Sequence, residues 1–252
     1  MKVVVCVKQI PDPATPYKIE EGTGWLIRPE DQILDDTDRY GVEMGLQIAQ
    51  ANEGTVTLVS MGPAGNSQGI RQALAMGADK AVIVDDSPLR GSDALTTARV
   101  LAAAIEAEGF DLVIAGTEST DGYSGVVPQM VAELLDVPAL TYATKVETTG
   151  DTVTINRQTA AGYDVVSSSL PAVVSVTAGV VEPRYPTFKG IMDAKKKPVE
   201  TQTLAGLGVE PQITQTVSAI TEAPERSAGR KIEDDGEAHL AIVELLEQRK
   251  VI

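Results

Sequence analysis

The chain predicts an α/β fold: a parallel sheet with helices on both faces, β-hairpin additions and an extended C-terminal arm. Two observations predict the sheet. Short runs rich in β-branched residues, beginning with Lys2-Val3-Val4-Val5-Cys6-Val7-Lys8, alternate with helix-period segments as far as about residue 136. Strict alternation of this kind requires right-handed crossovers, so the strands run parallel and both faces are covered. The third observation is a change of pattern after residue 137. Strand-like runs then follow each other across turn signals at Gly150-Asp151 and Ala161-Gly162, as in hairpins.

The elements follow in order. After the strand at 2–8 comes a loop marked by Pro11, Pro13, Pro16, Gly22 and Gly24, with Trp25 on a short hairpin. Asp35 or Asp36 caps a helix to about residue 51, with Val42, Leu46 and Ala49 on one face. Thr55–Met61 is the second strand. Asn66 or Ser67 opens a helix that closes on Gly77. Lys80–Val84 is the third strand, and Ser92 or Asp93 caps a helix to about residue 108. Asp111–Ala115 is the fourth strand, followed by a Gly-rich turn and a helix over about 126–136. Strands are then expected at 141–147, 152–158, 163–168 and 172–176. Residues 198–230 have no strong period and read as an extended arm, with a last helix over roughly 237–249.

Composition narrows the function. A net charge of −15 argues against nucleic acid, whose phosphates need a basic surface. The single cysteine, Cys6, rules out an intramolecular disulfide and a structural zinc site, and fits a reducing compartment such as the cytoplasm. The first apolar run ends at Lys8, too short for a secretory signal, and no stretch is long enough to insert into a membrane. His239, the only histidine, lies in an acidic tail and is a poor catalytic base.

Ligands of an open parallel sheet bind outside the carboxyl ends of its strands. Three loops converge there: after the first strand, after the second at Met61-Gly62-Pro63-Ala64, and after the fourth at Gly116–Val127. The last reads Gly-Thr-Glu-Ser-Thr-Asp-Gly-Tyr-Ser-Gly-Val-Val, whose glycines and hydroxyls could present N–H groups to a phosphate. It matches neither the Walker pattern nor Gly-x-Gly-x-x-Gly, so a Gly-rich turn capping a helix is the competing reading. Asp35, Asp36 and Asp38 could form an acid/base or metal cluster, or simply a helix N-terminus favoured by its dipole. Cys6, inside a strand, reads as a small hydrophobe. No catalytic constellation is visible, which suggests a binding or carrier subunit.

Residues 182–197 hold five of the 21 basic residues, together with Tyr185, Phe188, Ile191 and Met192, broken by Pro183, Pro186 and Gly190. The breakers argue for irregular, surface-lying backbone that displays Phe188. Apolar display beside basic charge suggests docking of another protein. The alternative is a loop folded back on its own domain.

Several pieces follow one another along the chain: Val7-Lys8-Gln9-Ile10-Pro11-Asp12; Gly62-Pro63 with Ala73-Leu74-Ala75-Met76-Gly77-Ala78-Asp79-Lys80; Ser119-Thr120-Asp121-Gly122; Leu170-Pro171-Ala172-Val173-Val174; Glu182-Pro183-Arg184-Tyr185; and Ile191-Met192 with Ala194-Lys195-Lys196-Lys197. Taken together and in this order, they resemble the β-subunit family of electron transfer flavoproteins over nearly the whole chain. The resemblance implies a Rossmann-like fold related to adenine-nucleotide α-hydrolases. It implies a nucleotide-binding domain at 1–197, with a recognition loop at 184–193, and a C-terminal arm and helix at 198–252 that embrace an α subunit.

It also implies an electron carrier without catalytic side chains. FAD would be held mainly by the α subunit and one structural AMP by this chain. AMP contacts would fall on Cys6, on Asp35, Asp36, Thr37 and Asp38, and on Met61. Further contacts would fall on the loop formed by Gly116, Thr117, Glu118, Ser119, Thr120, Asp121, Gly122, Tyr123, Ser124, Gly125, Val126 and Val127. Arg184, Tyr185, Phe188, Gly190, Ile191 and Met192 would recognise acyl-CoA or related dehydrogenases, as in fatty acid β-oxidation. Electrons would leave through a quinone oxidoreductase toward the respiratory chain. A second class of such proteins carries another FAD in place of AMP, oxidises NADH and bifurcates electrons.

Three departures stand out. Arg157 is followed by Ala160, Ala161 and Gly162 where the family has carboxylates. Phe188 replaces a leucine anchor. Tyr123-Ser124-Gly125-Val126 replaces the Asp-Thr-Ala-Gln-like run of bifurcating members, which favours AMP.

Overall fold

The computed structural model describes residues 1–221, 229 and 231–252. The first compact unit is Met1–Ser218. Its strands are β1 (Lys2–Cys6), β2 (Gln9–Ile10), β3 (Ile33–Leu34), β4 (Thr55–Met61), β5 (Lys80–Val84), β6 (Leu112–Gly116), β7 (Ala139–Thr149), β8 (Thr152–Thr159), β9 (Gly162–Ser169), β10 (Ala172–Val176) and β11 (Val199–Gln202). Its helices are α1 (Asp36–Ala51), α2 (Gln68–Met76), α3 (Ala94–Glu108), α4 (Val127–Leu134), α5 (Phe188–Ala194) and α6 (Leu204–Leu207). Nine strands form one sheet in the order β11-β5-β4-β1-β6-β10-β7-β8-β9, and β2 and β3 pair separately.

The expected α/β architecture is present, and side-chain alternation explains it. Val3 and Val5 of β1 join a core with Leu46 of α1 and Ile70 and Leu74 of α2. Val4, one residue out of phase, faces the other way with Val100 and Ile105 of α3 and Val131 of α4. Consecutive valines thus feed two cores, as a strand buried on both faces requires. The two edges of β1 are fixed by parallel pairing, to β4 over Lys2–Cys6 and to β6 over Val3–Val5.

β7, β8 and β9 form the expected antiparallel hairpins. Ala172–Val176 departs from that hairpin series. β10 returns to lie between β6 and β7, parallel to both. All five of its residues are buried, which suits a central strand rather than a hairpin edge.

The reading of 198–230 as an extended arm is corrected over its first part. β11 pairs parallel with β5, and α6 buries Leu204. Only four residues, three of them polar, form β11, so no period shows in the sequence. The chain then stays fastened to α3, where Asp93 Oδ2 accepts hydrogen bonds from Thr214 N (2.7 Å) and Thr214 Oγ1 (2.8 Å).

The second unit is Ala219–Ile252. Its helix α7 (Ala238–Gln248) falls where a last helix was expected. None of its residues is buried, and Leu240, Ile242, Val243 and Leu245 are exposed. Among the described residues, no helix is long and apolar enough to cross a membrane.

Candidate nucleotide site and docking segment

The carboxyl ends of β4, β1 and β6 lie side by side because these strands are neighbours in the sheet. Met61, Cys6 and Gly116 therefore meet at one pole, as expected. Cys6 and Met61 are half-buried and pack against the α3–α4 core. Burial, and then the neighbouring Asp38, push the Cys6 thiol up to about 12, so it stays protonated and unreactive at neutral pH.

Asp35 is the N-cap of α1 and is fully buried. One oxygen accepts from Thr37 N (3.0 Å) and Thr37 Oγ1 (2.9 Å). The other accepts from Thr120 N (2.7 Å) and Thr120 Oγ1 (3.1 Å). Thr37 Oγ1 also donates to Glu118 O, at 3.1 Å. One capping residue therefore ties the helix to the Gly-rich loop. Of the two readings of this region, the helix N-terminus is the one this residue shows, since Asp35 caps α1.

Asp38 is buried on the first turn of α1 and accepts from Lys8 N at 2.6 Å. Burial, and next the charge of Asp35, hold its carboxyl well above the usual carboxylate range. Asp36, by contrast, is exposed and pairs with Arg39, three residues on, at 3.1 Å. The three carboxylates are thus not one cluster. Among the described residues no group of acidic, histidine and cysteine side chains has metal-binding geometry.

The Gly-rich loop turns at Ser119, whose carbonyl accepts from Tyr123 N at 2.9 Å. The Asp121 side chain is 1% exposed and lies between two cations: Lys8 Nζ at 2.7 Å and Arg28 Nη2 at 2.6 Å. Its burial works to raise its pKa, but these two charges outweigh burial and hold it below its ordinary value. Thr117 Oγ1 donates to Val176 O (3.0 Å), fixing the loop's first residues to β10. Gly122, Tyr123, Ser124 and Val126 are exposed, while Gly125 and Val127 are half-buried. Tyr123 adopts a φ of +47°, and Gly125 one of +64°.

The loop delivers the chain into α4, where Val126 supplies no side-chain cap and Pro128 has no N–H. The remaining N–H groups of that first turn are left to water or a ligand. Gly116 is closely packed here: a Cβ on it would lie 3.1 Å from Asp38 Oδ1 and 3.2 Å from Thr37 Oγ1.

The second region, 182–197, is more ordered than its prolines and glycine suggest. Thr187 caps α5 by accepting from Gly190 N, so the expected loop becomes a helix from Phe188 onward. Irregular backbone with Pro183 and Pro186 leads into it, but Thr187 Oγ1 supplies the acceptor its first turn needs. Tyr185 is 84% exposed and Phe188 82% exposed, and Ile191 and Met192 are exposed as well. Arg184 and Gly190 turn inward instead. Arg184 pairs with buried Glu43 of α1, and Gly190 lies so close to α2 that a Cβ would sit 2.5 Å from Ala75 O. Of the lysines at 195–197, Lys197 has a structural task. Its Nζ donates to Leu74 O (3.1 Å) and Ala78 O (2.6 Å) at the end of α2.

The family model for the electron transfer flavoprotein domain matches residues 23–207. The chain belongs to the electron transfer flavoprotein family. A protein of Mycobacterium tuberculosis (strain ATCC 25618 / H37Rv) called electron transfer flavoprotein subunit beta is 43% identical over 263 residues, spanning 99% of each chain. One of the same name from Thermoanaerobacterium thermosaccharolyticum is 34% identical over 267 residues, spanning all of both chains. The caffeyl-CoA reductase-Etf complex subunit CarD of Acetobacterium woodii is 34% identical over 215 residues, spanning 84% of this chain and 82% of its own. The full-length match with two subunits called beta sets this chain on the beta side of the electron transfer flavoprotein family.

Within that electron transfer flavoprotein frame, three site residues escaped sequence reasoning. Lys8 and Arg28 neutralise Asp121, and Gln9 Oε1 accepts from Gly69 N (2.8 Å) at the start of α2. Lys8 and Gln9 lie in the motif Val7–Asp12, so a polar pair directly after a buried strand was the available signal. Arg28 had none, because 93 residues separate it from Asp121.

Proposed function

We propose that this chain is the β subunit of a heterodimeric electron carrier, binding one structural AMP at the pole where β4, β1 and β6 end. One observation carries the reading: Asp35 bonds α1 to the Gly-rich loop, and the buried carboxylates around it are neutralised. A phosphate would be repelled by ionised Asp38 and Asp121. Burial favours the protonated form of the first, and Lys8 and Arg28 balance the second. The donor set fits a nucleotide monophosphate: loop hydroxyls at Ser119 and Ser124, and the uncapped first turn of α4.

An α subunit would hold most of the FAD, which supplies the redox chemistry when bound. This chain would line part of that site, and the second unit with its exposed α7 would face the α subunit. Tyr185, Phe188, Ile191 and Met192 would dock acyl-CoA or related dehydrogenases, which deliver electrons for passage to a quinone oxidoreductase. The exposure of two aromatic rings on one short segment supports that role.

The α–β pair tests this directly. Mixed with an acyl-CoA dehydrogenase reduced by octanoyl-CoA, its flavin should be reduced within the turnover time of the enzyme. NADH alone should leave it oxidised. Rapid reduction by NADH alone would favour the bifurcating alternative instead.

A further inference from the structure

We propose that Glu43 and Arg184 form a clamp that sets how the docking segment is presented, making Glu43 a positioning residue for partner recognition although it cannot touch the partner. The proposal rests on the docking reading of 184–193.

Glu43 stands on α1 with its side chain 4% exposed. Its Oε2 accepts from Arg184 Nε at 2.6 Å and from Arg184 N at 3.2 Å. Its Oε1 accepts from Arg184 Nη2 at 2.9 Å and from Gln47 Nε2 at 2.8 Å. This fork fixes both the side chain and the backbone of the residue directly before Tyr185. A guanidinium held at two nitrogens by one carboxylate keeps a single orientation, as a lysine ammonium would not.

The other end of the segment is fixed independently. Arg71 Nη1 on α2 donates to Ala194 O (2.5 Å) and Lys197 O (3.2 Å), and Gly190 packs against the backbone of α2. Tyr185 and Phe188 therefore stand between two anchors on two different helices. Aromatic anchors displayed to solvent lose binding energy when their backbone must be ordered at docking. Fixing it beforehand lowers that cost. The burial of Glu43 has no other evident use, since its four recorded hydrogen bonds go to Arg184 and Gln47.

The test uses the α–β pair loaded with FAD, with an octanoyl-CoA-reduced acyl-CoA dehydrogenase as electron donor. Glu43→Gln should raise KM for the pair about threefold to tenfold, the effect of releasing one or two ordered side chains. The kcat at saturation and the flavin content should not change. In a background carrying both Tyr185→Ala and Phe188→Ala, Glu43→Gln should raise KM no further, because neither ring is left to present. Arg184→Lys, which keeps the charge but loses the fork, should reproduce the rise and serves if Glu43→Gln does not fold. An unchanged KM in Glu43→Gln, with Phe188→Ala still impaired, would overturn the clamp and leave the docking reading standing. An equal rise in both backgrounds would also overturn it, by showing a general structural effect. Unchanged KM in every variant would overturn the docking reading and the clamp with it.

Discussion

Asp35 Oδ2 accepts both the N–H and the hydroxyl of Thr120, at 2.7 and 3.1 Å, across 85 residues of chain. A helix cap and a Gly-rich loop are thereby one structure. Asp35→Ala should remove the cap and leave the Thr120 donors without their acceptor. The expected cost is about 2–4 kcal/mol of stability, with loss of bound nucleotide. Urea unfolding together with nucleotide assay would check it. A loss of only a few tenths of a kcal/mol would show that the loop does not depend on this residue.

Asp38 gives a pH prediction with a definite sign. Its carboxyl is raised well above the ordinary range by burial and by Asp35, so the folded chain holds a proton that the unfolded chain releases above about pH 4. Its contribution to stability therefore falls as pH rises from about 4 toward the raised value. Asp38→Asn keeps an acceptor for Lys8 N but cannot ionise. The stability of this variant relative to the native chain should grow across that window and then level off. Urea midpoints measured from pH 4.5 to 8 would show it, and a flat difference would contradict it.

Asp121 behaves in the opposite sense. Burial opposes its ionisation, but Lys8 and Arg28 hold it below its ordinary value, so its contribution is complete above about pH 4 and is lost as pH falls further. Replacing Arg28 by Ala should move acid unfolding to higher pH. Acid titration followed by circular dichroism would detect the shift, and an unmoved transition would mean that Lys8 suffices alone.

Gly116→Ala should put a methyl group 3.1 Å from Asp38 Oδ1 and 3.2 Å from Thr37 Oγ1. The crowding should cost about 1–3 kcal/mol and displace the start of the loop. Denaturant unfolding and nucleotide content of the variant measure the two effects, and native values of both would show that the pole yields freely.

Phe188→Ala should lower electron transfer from the dehydrogenase while leaving flavin content intact, because the ring is 82% exposed and distant in role from the nucleotide pole. Stopped-flow reduction and the visible flavin spectrum would separate the two effects. Unchanged transfer, or lost flavin, would count against an anchoring ring.

Much of this architecture was legible because it is local. The unbroken valine run of β1, the cap at Asp35, the closing Gly77 and the turn at Gly150 each act through neighbouring residues, and the structure has each where expected. What escaped was long-range. β11 is too short and polar to show a period, and β10 reads like a hairpin strand until its complete burial is seen. In the site, the loop and acidic residues were visible as residue types. The pairings that give them meaning were not, since Lys8 and Asp121, or Glu43 and Arg184, meet only after folding. The segment 182–197 was half legible: display of Phe188 followed from its breakers, but the helix beneath it depends on Thr187 and on contacts with α2.

The central claim is that this chain's carboxyl pole holds AMP while the α subunit holds FAD. Denaturing the purified α–β pair and separating the released nucleotides by chromatography tests it most directly. One AMP and one FAD per pair is the predicted result; two FAD and no AMP would contradict it.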